Sequence, residues 1–128
     1  MKKVVIPAWM QPFYDNFHFA PAVIDGEHLR CSGVIGLRPD LSVPEDPTAQ
    51  FTRAFENLRD VLAEAGLTFA DVVEMNTYHV GLRAHVEEFG AVKDRFMSAP
   101  YPAWTAVGIA ELFLPGALVE IQVTARIP

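Results

Sequence analysis

A single acidic residue interrupts an apolar segment near the end of the sequence. Glu120 lies between Val119 and Ile121, in a segment whose alternation predicts a strand. A carboxylate in such a segment is costly to bury unless it is paired or hydrogen-bonded. Two roles are therefore open for Glu120. Either it orients a water molecule or acts as a general base with a raised pKa, or it forms an ion pair with an arginine of another subunit.

Other residue types that could do chemistry are less well placed. Cys31 is the single cysteine, and the spacing puts no histidine beside it, so it is predicted to be an inert core thiol. His79 follows a tyrosine in a predicted strand and is interpreted as a hydrogen-bonded core residue. No His-x-x-x-His or comparable pair occurs, so no metal site is predicted; the histidines are His18, His28, His79 and His85.

Composition limits the classes of function. The chain has 128 residues, of which 51% are hydrophobic and 20% charged, as expected of one folded domain spanning 1–128. The formal net charge is −6, whereas binding to nucleic acid needs clustered Lys and Arg, so no nucleic-acid partner is expected. Pro7 stops the N-terminal apolar run short of a signal peptide, and no segment reaches the length of a membrane span. We therefore expect a cytoplasmic protein without a membrane partner.

The candidate residues are carried by elements predicted in the order ββ-α-β-α-ββ. Asp25-Gly26 is typical of a tight hairpin turn. Asp46 followed by Pro47 predicts the start of a helix, and Gly66 predicts its end. The predicted strands are 18–24, 27–32, 72–80, 103–111 and 117–125, the last two as a hairpin; the second helix is 84–97, and the aromatic-rich residues 7–17 form an ordered loop.

This order predicts an α+β fold, in which a mostly antiparallel sheet is covered on one face by two helices. Strand parity then assigns side chains to the two faces. One parity is apolar and suits the helix-covered face: Val107, Ile109, Val119, Ile121 and Val123. The other parity mixes small, aromatic and isolated polar residues: Trp104, Ala106, Gly108, Ala110, Leu118, Glu120, Gln122 and Thr124. A face of the second kind is typical of contact with another subunit or a ligand.

Segments spread along the chain combine into one pattern. Near the C-terminus they are Tyr101-Pro102-Ala103-Trp104 and Leu114-Pro115-Gly116-Ala117-Leu118-Val119-Glu120-Ile121. Earlier segments are His18-Phe19-Ala20-Pro21-Ala22-Val23, Cys31-Ser32-Gly33, Gln50 through Asn57-Leu58, Ala65-Gly66-Leu67 and Asp71-Val72-Val73. Their order and spacing together resemble the reactive-intermediate deaminase (RidA/YjgF) family.

The resemblance implies a chorismate-mutase-like fold and a homotrimer with three clefts between subunits. It also implies hydrolysis of enamines or imines to carbonyl compounds and ammonia, without a metal or other cofactor. A glutamate in the last strand of such proteins positions the attacking water, and Glu120 matches it. Ser32 and Gly33 match the turn whose serine and backbone groups assist.

Other cleft positions depart from the family pattern. Trp104 stands where the family has a carboxylate-binding arginine, and Phe19 where active members have tyrosine. Gly90 stands in place of an asparagine, and Ala106 in place of a frequent cysteine. Losing the guanidinium removes a bidentate clamp that an indole cannot replace. These departures imply a substrate bulkier, more aromatic or less anionic than small 2-imino acids, with Trp104 and Phe19 shaping the pocket by stacking or packing.

The sequence therefore favours a cofactor-free deaminase or related hydrolase that acts on an enamine- or imine-type small molecule at clefts between subunits. The alternative is a non-catalytic trimer that binds or senses a small ligand in the same cleft. A ribonuclease is disfavoured, because the chain is acidic and carries no constellation of histidine and lysine.

Overall fold

One mixed sheet of six strands organises the computed structural model, which describes residues 2–128. In chain order the elements are β1 (Lys3–Val5), α1 (Gln11–Phe17), β2 (Ala22–Asp25), β3 (His28–Cys31), α2 (Pro47–Glu64), β4 (Val72–His79), α3 (Leu82–Phe96), β5 (Ala103–Gly108) and β6 (Val119–Arg126). Across the sheet the order is β1-β2-β3-β6-β4-β5. Every neighbouring pair is antiparallel except β4 and β5, which are parallel. The predicted α+β class and mostly antiparallel sheet are confirmed.

Local signals placed the first hairpin and the first long helix correctly. Gly26 adopts a φ of +61° in the turn between β2 and β3, which glycine tolerates at low cost. The Asp46 carboxylate accepts a 2.9 Å hydrogen bond from the Ala49 N–H at the start of α2. At its end, Leu67 N–H donates to the Leu62 carbonyl in the Schellman pattern, beside Gly66 at φ +75°.

The predicted loop over residues 7–17 is wrong. It is a 3₁₀ turn, Ala8–Met10, followed by the seven-residue helix α1. Its prolines favour a loop, but Trp9, Phe13 and Phe17 are spaced four residues apart, which is a helical signal that the prediction overlooked. Residues 2–128 thus contain three α-helices, of which α2 and α3 pack against each other and against β6 and β5 respectively. The edge strand β1 was also not predicted.

The predicted hairpin of the last two strands is wrong as well. β5 lies parallel to β4, joined to it through α3, whereas β6 is inserted between β3 and β4. Parallel neighbours require a crossover connection, usually a helix, and α3 supplies it. β6 takes the central place, where Val119, Ile121 and Val123 are at most 2% exposed.

This pairing reverses the predicted faces of β5. The register sets Trp104 opposite Met75 and Ala106 opposite Thr77, and residues paired in this way point to the same face. Met75 and Thr77 are fully buried under the helices, so Trp104 lies on the helix-covered face. Val107, predicted on that face, is 39% exposed on the other one. Among residues 2–128, no helix has both the length and the apolar character needed to cross a bilayer.

Candidate functional site

A cavity of about 500 Å³ lies between the N-terminal helical segment, the loop after β3 and the loop that precedes β6. Its wall is mainly aromatic and aliphatic, with Trp9, Phe13, Phe17, Phe19, Phe113 and Leu114 among the lining residues. Its polar side chains are Ser32, Asn57 and Glu120. Glu120 is the one charged residue among the described residues that line the cavity.

Two buried amide side chains of α2 hold the loops on either side of this cavity. Asn57, 2% exposed, donates to the carbonyl oxygens of Ile35 at 2.9 Å and Leu37 at 2.8 Å. Gln50, 1% exposed, donates to the Gly116 carbonyl at 3.0 Å and accepts from the Leu118 N–H at 2.6 Å. The Asn57 bonds fix the loop after β3, and the Gln50 bonds fix the segment that leads into β6. Both sides of the cavity are therefore attached to α2.

Glu120 approaches the backbone of Gly33 very closely. Val34 and Ile121 exchange two backbone hydrogen bonds of 2.8 Å, which hold the loop beside β6. A Cβ atom built on Gly33 would lie 2.5 Å from the Cγ and Cδ atoms of Glu120. Only glycine therefore leaves room for the carboxylate at this place.

The Glu120 carboxylate has no hydrogen bond or ion pair with another side chain among residues 2–128. Desolvation by the surrounding apolar groups raises its pKa above the ordinary value of 4.5. An unpaired carboxylate with a raised pKa can accept and return a proton. It also attracts a cationic group, such as a protonated imine, into a cavity that is otherwise apolar.

Ser32 has a more limited role than its position in the turn indicates. Its hydroxyl donates a 2.7 Å hydrogen bond to the Ala20 carbonyl, and its N–H donates to the Pro21 carbonyl at 2.9 Å. The hydroxyl proton is thus engaged with the backbone, and only the oxygen lone pairs remain available to a ligand. The neighbouring Gly33 N–H takes part in no hydrogen bond within residues 2–128 and is the free donor next to Glu120.

Aromatic rings form a continuous wall opposite the carboxylate. Phe13 stacks on Phe19 with ring centroids 6.2 Å apart, and Trp9 meets Phe13 edge-on at 5.8 Å. At the mouth, Phe17 contacts Phe113, which is 87% exposed. Phe19 was predicted as a site residue, whereas the other four were not. The density of aromatic residues over 7–17 was the available signal, but their distance from Glu120 in the sequence concealed the contact.

The predicted site residues fall into two groups. Phe19, Ser32, Gly33 and Glu120 all line the cavity. Trp104 and Gly90 do not: Trp104 lies on the edge strand β5, and Gly90 lies on α3, where an added Cβ would meet nothing within 4 Å.

The buried hydroxyl of Thr77 fixes the indole ring of Trp104. Its indole N–H donates to Thr77 Oγ1 at 2.9 Å, and the same oxygen lies 2.7 Å from Nε2 of His79. Burial lowers the pKa of His79, which is 1% exposed, so its ring is neutral at physiological pH. The interpretation of His79 as a hydrogen-bonded core residue is confirmed.

The remaining candidate nucleophile is buried. Cys31 is 4% exposed, and desolvation raises the pKa of its thiol to about 12. Because the thiolate is the reactive form, Cys31 is not a nucleophile near neutral pH. In the part of the chain that the structure describes, no three His, Cys, Asp or Glu side chains come together as metal ligands.

Comparison with known proteins places this geometry in a family. The family model described as Endoribonuclease L-PSP matches residues 13–127. The RutC family protein YjgH of Escherichia coli is 38% identical over 128 residues, which cover 99% of this chain and 96% of the relative. A 2-iminobutanoate/2-iminopropanoate deaminase of Dermatophagoides farinae is 32% identical over 109 residues, 81% of each chain.

Solved structures agree with these sequence relatives. The structure of protein YJGH superposes with a TM-score of 0.90 at 37% identity, covering 99% of this chain and 97% of the other. RidA from an Antarctic Psychrobacter superposes with a TM-score of 0.80 at 32% identity, covering 85% and 88% respectively. The same topology therefore accompanies the sequence similarity, and the chain belongs to the RidA/YjgF family.

Proposed function

We propose that this protein hydrolyses an imine, or the enamine that tautomerises to it, to a carbonyl compound and ammonia without a cofactor. The observation that carries the proposal is the Glu120 carboxylate, which has no ion-pair partner within residues 2–128 and lies against Gly33 in an apolar cavity. A relative 32% identical is a 2-iminobutanoate/2-iminopropanoate deaminase, which supports the reaction class.

The chemistry follows from one carboxylate and one water molecule. Glu120 removes a proton from the water as its oxygen attacks the carbon of the protonated C=NH₂⁺ group, which yields a neutral carbinolamine. The protonated Glu120 then gives that proton to the amino nitrogen. Glu120 next takes the proton of the hydroxyl as the C=O bond forms and the C–N bond breaks, and it passes this proton to the departing ammonia. In this mechanism, Gly33 N–H donates a hydrogen bond to the oxygen that develops charge; its lack of a hydrogen bond within residues 2–128 supports this role.

The apolar wall sets the substrate class. A carbinolamine centre near Glu120 would place its substituent among Phe13, Phe17 and Phe19, where a large apolar or aromatic group buries the most surface. Small imines such as 2-iminopropanoate would leave most of this volume unfilled and would find no guanidinium at Trp104. We therefore infer a preference for imines with a large apolar or aromatic substituent.

We propose further that the complete cleft forms between copies of the chain in a cytoplasmic homotrimer, without a nucleic-acid or membrane partner. Trp104 and Gly90 lie outside the cavity of their own chain, so they can join Glu120 only from another copy. The edge strand β5 has Trp104 and Val107 about 40% and 39% exposed, which suits contact with a neighbour. Light scattering should give three times the monomer mass of 14.2 kDa.

A non-catalytic, ligand-binding trimer is the second candidate. One observation favours it: the Ser32 hydroxyl is already engaged with the Ala20 carbonyl, so Glu120 is left as the cavity's one ionisable side chain among the described residues. In that case the cavity would bind an apolar, cationic ligand and release it unchanged.

The two functions separate on replacement of Glu120. Imines with an aromatic substituent are generated in situ from the amino acid by an amino-acid oxidase, and their decay is followed. Glu120→Gln keeps the shape but removes the base, so the catalysed rate should fall by about 10²–10⁴-fold. Glu111→Gln, at an exposed position outside the cavity lining, is the matched control and should not alter the rate. Turnover that survives Glu120→Gln within a few fold refutes the mechanism.

A further inference from the structure

Lys93, which has no anionic partner among residues 2–128, lies beside Trp104. Lys93 is 8% exposed on α3. Its Nζ lies 4.9 Å from the ring centroid of Trp104 and 5.4 Å from that of Tyr101. Two aromatic faces therefore flank the ammonium group at the edge of the sheet, in the geometry of a cation–π contact.

The ammonium group has unused hydrogen-bonding capacity. Among residues 2–128, no carboxylate lies within 4.0 Å of it as an ion pair, and no side-chain hydrogen bond uses it. A lysine ammonium carries three donors. Although the side chain is largely buried, Nζ keeps some contact with solvent, so an anionic ligand can replace the water at this group.

Space for a ligand lies next to this group. Gly90 precedes Lys93 by three residues and so lies on the same face of α3. A Cβ atom at Gly90 would meet nothing within 4 Å, so the surface beside Lys93 is open. Tyr101 and Trp104 on the other side are 63% and 40% exposed and leave their faces accessible.

We propose that Lys93 binds the carboxylate of the substrate. The inference rests on the proposed function and names its substrate class: 2-imino acids with a large apolar or aromatic side chain. The cavity around Glu120 offers no cation from the described residues, so a substrate carboxylate must be bound outside it. Lys93 is brought to the cleft together with Trp104 by the neighbouring copy. It acts as a point charge, in contrast to a planar, bidentate guanidinium.

The test uses the carbonyl product as the ligand. This product is stable, so its binding is measured without turnover. Phenylpyruvate carries an aromatic group and a carboxylate, and phenylacetone replaces that carboxylate with a methyl group. Calorimetry on the full chain should show tighter binding of phenylpyruvate than of phenylacetone. Lys93→Met keeps the buried stem, and it should weaken phenylpyruvate binding about tenfold or more while leaving phenylacetone unchanged.

Two further variants control for general charge effects. Lys93→Arg keeps the cation and should retain phenylpyruvate affinity within a few fold. Arg95→Met removes an exposed cation two residues further along the same helix and should have no effect. Equal binding of phenylpyruvate by wild type and Lys93→Met would overturn the proposal, as would wild-type protein that does not prefer phenylpyruvate.

A second measurement needs no variant. The sequence contains three lysines, Lys2, Lys3 and Lys93, so ¹³C-labelled lysine gives few Cε–Hε signals. The signal of Lys93, displaced by the ring currents of Trp104 and Tyr101, should shift with phenylpyruvate and stay in place with phenylacetone. An unshifted signal at saturating phenylpyruvate would overturn the proposal.

The mass of the assembly distinguishes a substrate carboxylate from a carboxylate of a second copy as the partner of Lys93. If Lys93→Met dissociates the assembly but leaves phenylpyruvate affinity unchanged, the partner of Lys93 is a carboxylate of a second copy, and the proposal is wrong. Failure of the proposed function is a separate result. If Glu120→Gln still turns over imines, the mechanism is refuted, whereas the phenylpyruvate data alone decide the role of Lys93.

Discussion

Gly33→Ala displaces the Glu120 carboxylate without touching Glu120 itself. The new Cβ would lie 2.5 Å from the Cγ and Cδ atoms of Glu120 and 2.9 Å from its Oε1. Ordinary contacts between carbon atoms are about 3.5–4.0 Å. The Glu120 side chain must therefore move by about 1 Å or adopt another rotamer.

The structure predicts that this movement costs activity more than stability. The displaced atoms belong to a flexible side chain at the cavity surface, so the destabilisation should lie near the lower end of the range of about 1–3 kcal/mol for added volume. A catalytic group misplaced by about 1 Å costs about 10²-fold in rate. We expect the imine-hydrolysis rate to fall by about that factor while the protein stays folded.

The assay is the rate of hydrolysis of an aromatic imine generated in situ, with denaturant unfolding measured in parallel. Gly108→Ala is the matched control, because its added Cβ meets Leu82 Cβ at an ordinary 3.5 Å, and it should leave the rate unchanged. If Gly33 acts through Glu120, the double variant Gly33→Ala/Glu120→Gln should be no slower than Glu120→Gln alone, since the two effects are not additive.

A Gly33→Ala variant that hydrolyses the imine within a few fold of wild type, while Glu120→Gln does not, would refute this role of Gly33. The Glu120 side chain would then avoid the added Cβ by changing its rotamer without losing its function. Strictly additive losses in the double variant would show that Gly33→Ala slows the reaction by a route other than the position of the carboxylate.

The remaining predictions concern protonation and the support of Trp104. Desolvation raises the pKa of Glu120 above 4.5, so the rate should fall as pH decreases through that raised pKa; a pH–rate profile whose acid limb stays at or below the ordinary value contradicts this. Because the folded state disfavours the ionised form of Glu120, ionisation of this carboxyl lowers the free energy of unfolding. This loss is fully present above the raised pKa and absent below the ordinary pKa. Glu120→Gln should therefore raise the thermal midpoint at neutral pH, and this advantage should vanish as pH approaches 4.5; an unchanged midpoint at pH 7 would count against the desolvation. Thr77→Val removes the hydroxyl between Trp104 and buried His79 and should cost about 1–3 kcal/mol in denaturant unfolding; a cost below about 0.5 kcal/mol would mean that water replaces it.

Local interactions let the sequence specify much of the fold. The Asp46 cap, Pro47, the Gly66 terminus and the apolar stripe between them define α2, because each depends on residues within a few positions of one another. Asp25-Gly26 defines the first hairpin for the same reason. The carboxylate in an apolar strand, and its match to the family pattern, identified Glu120 before any contact was known.

Strand partners were decided only in three dimensions. Residues 103–111 and 117–125 have the pattern of two strands joined by a turn, and nothing local distinguishes a hairpin from two separated strands. Packing of α3 over β4 and β5 decides the parallel pairing and places β6 in the centre. This pairing alone determines that Trp104 faces the helices and lies away from Glu120.

Some site residues were identified from the sequence, whereas others became evident only in the folded structure. Sequence identified Glu120, Ser32, Gly33 and Phe19, which the fold brings together around one cavity. It could not identify the aromatic wall, because Phe13 and Phe113 are one hundred positions apart in the chain, or Lys93, whose surroundings depend on how α3 crosses β5. Burial, and with it the raised pKa of Glu120, arises from contacts among distant residues, so only the tertiary structure decides it.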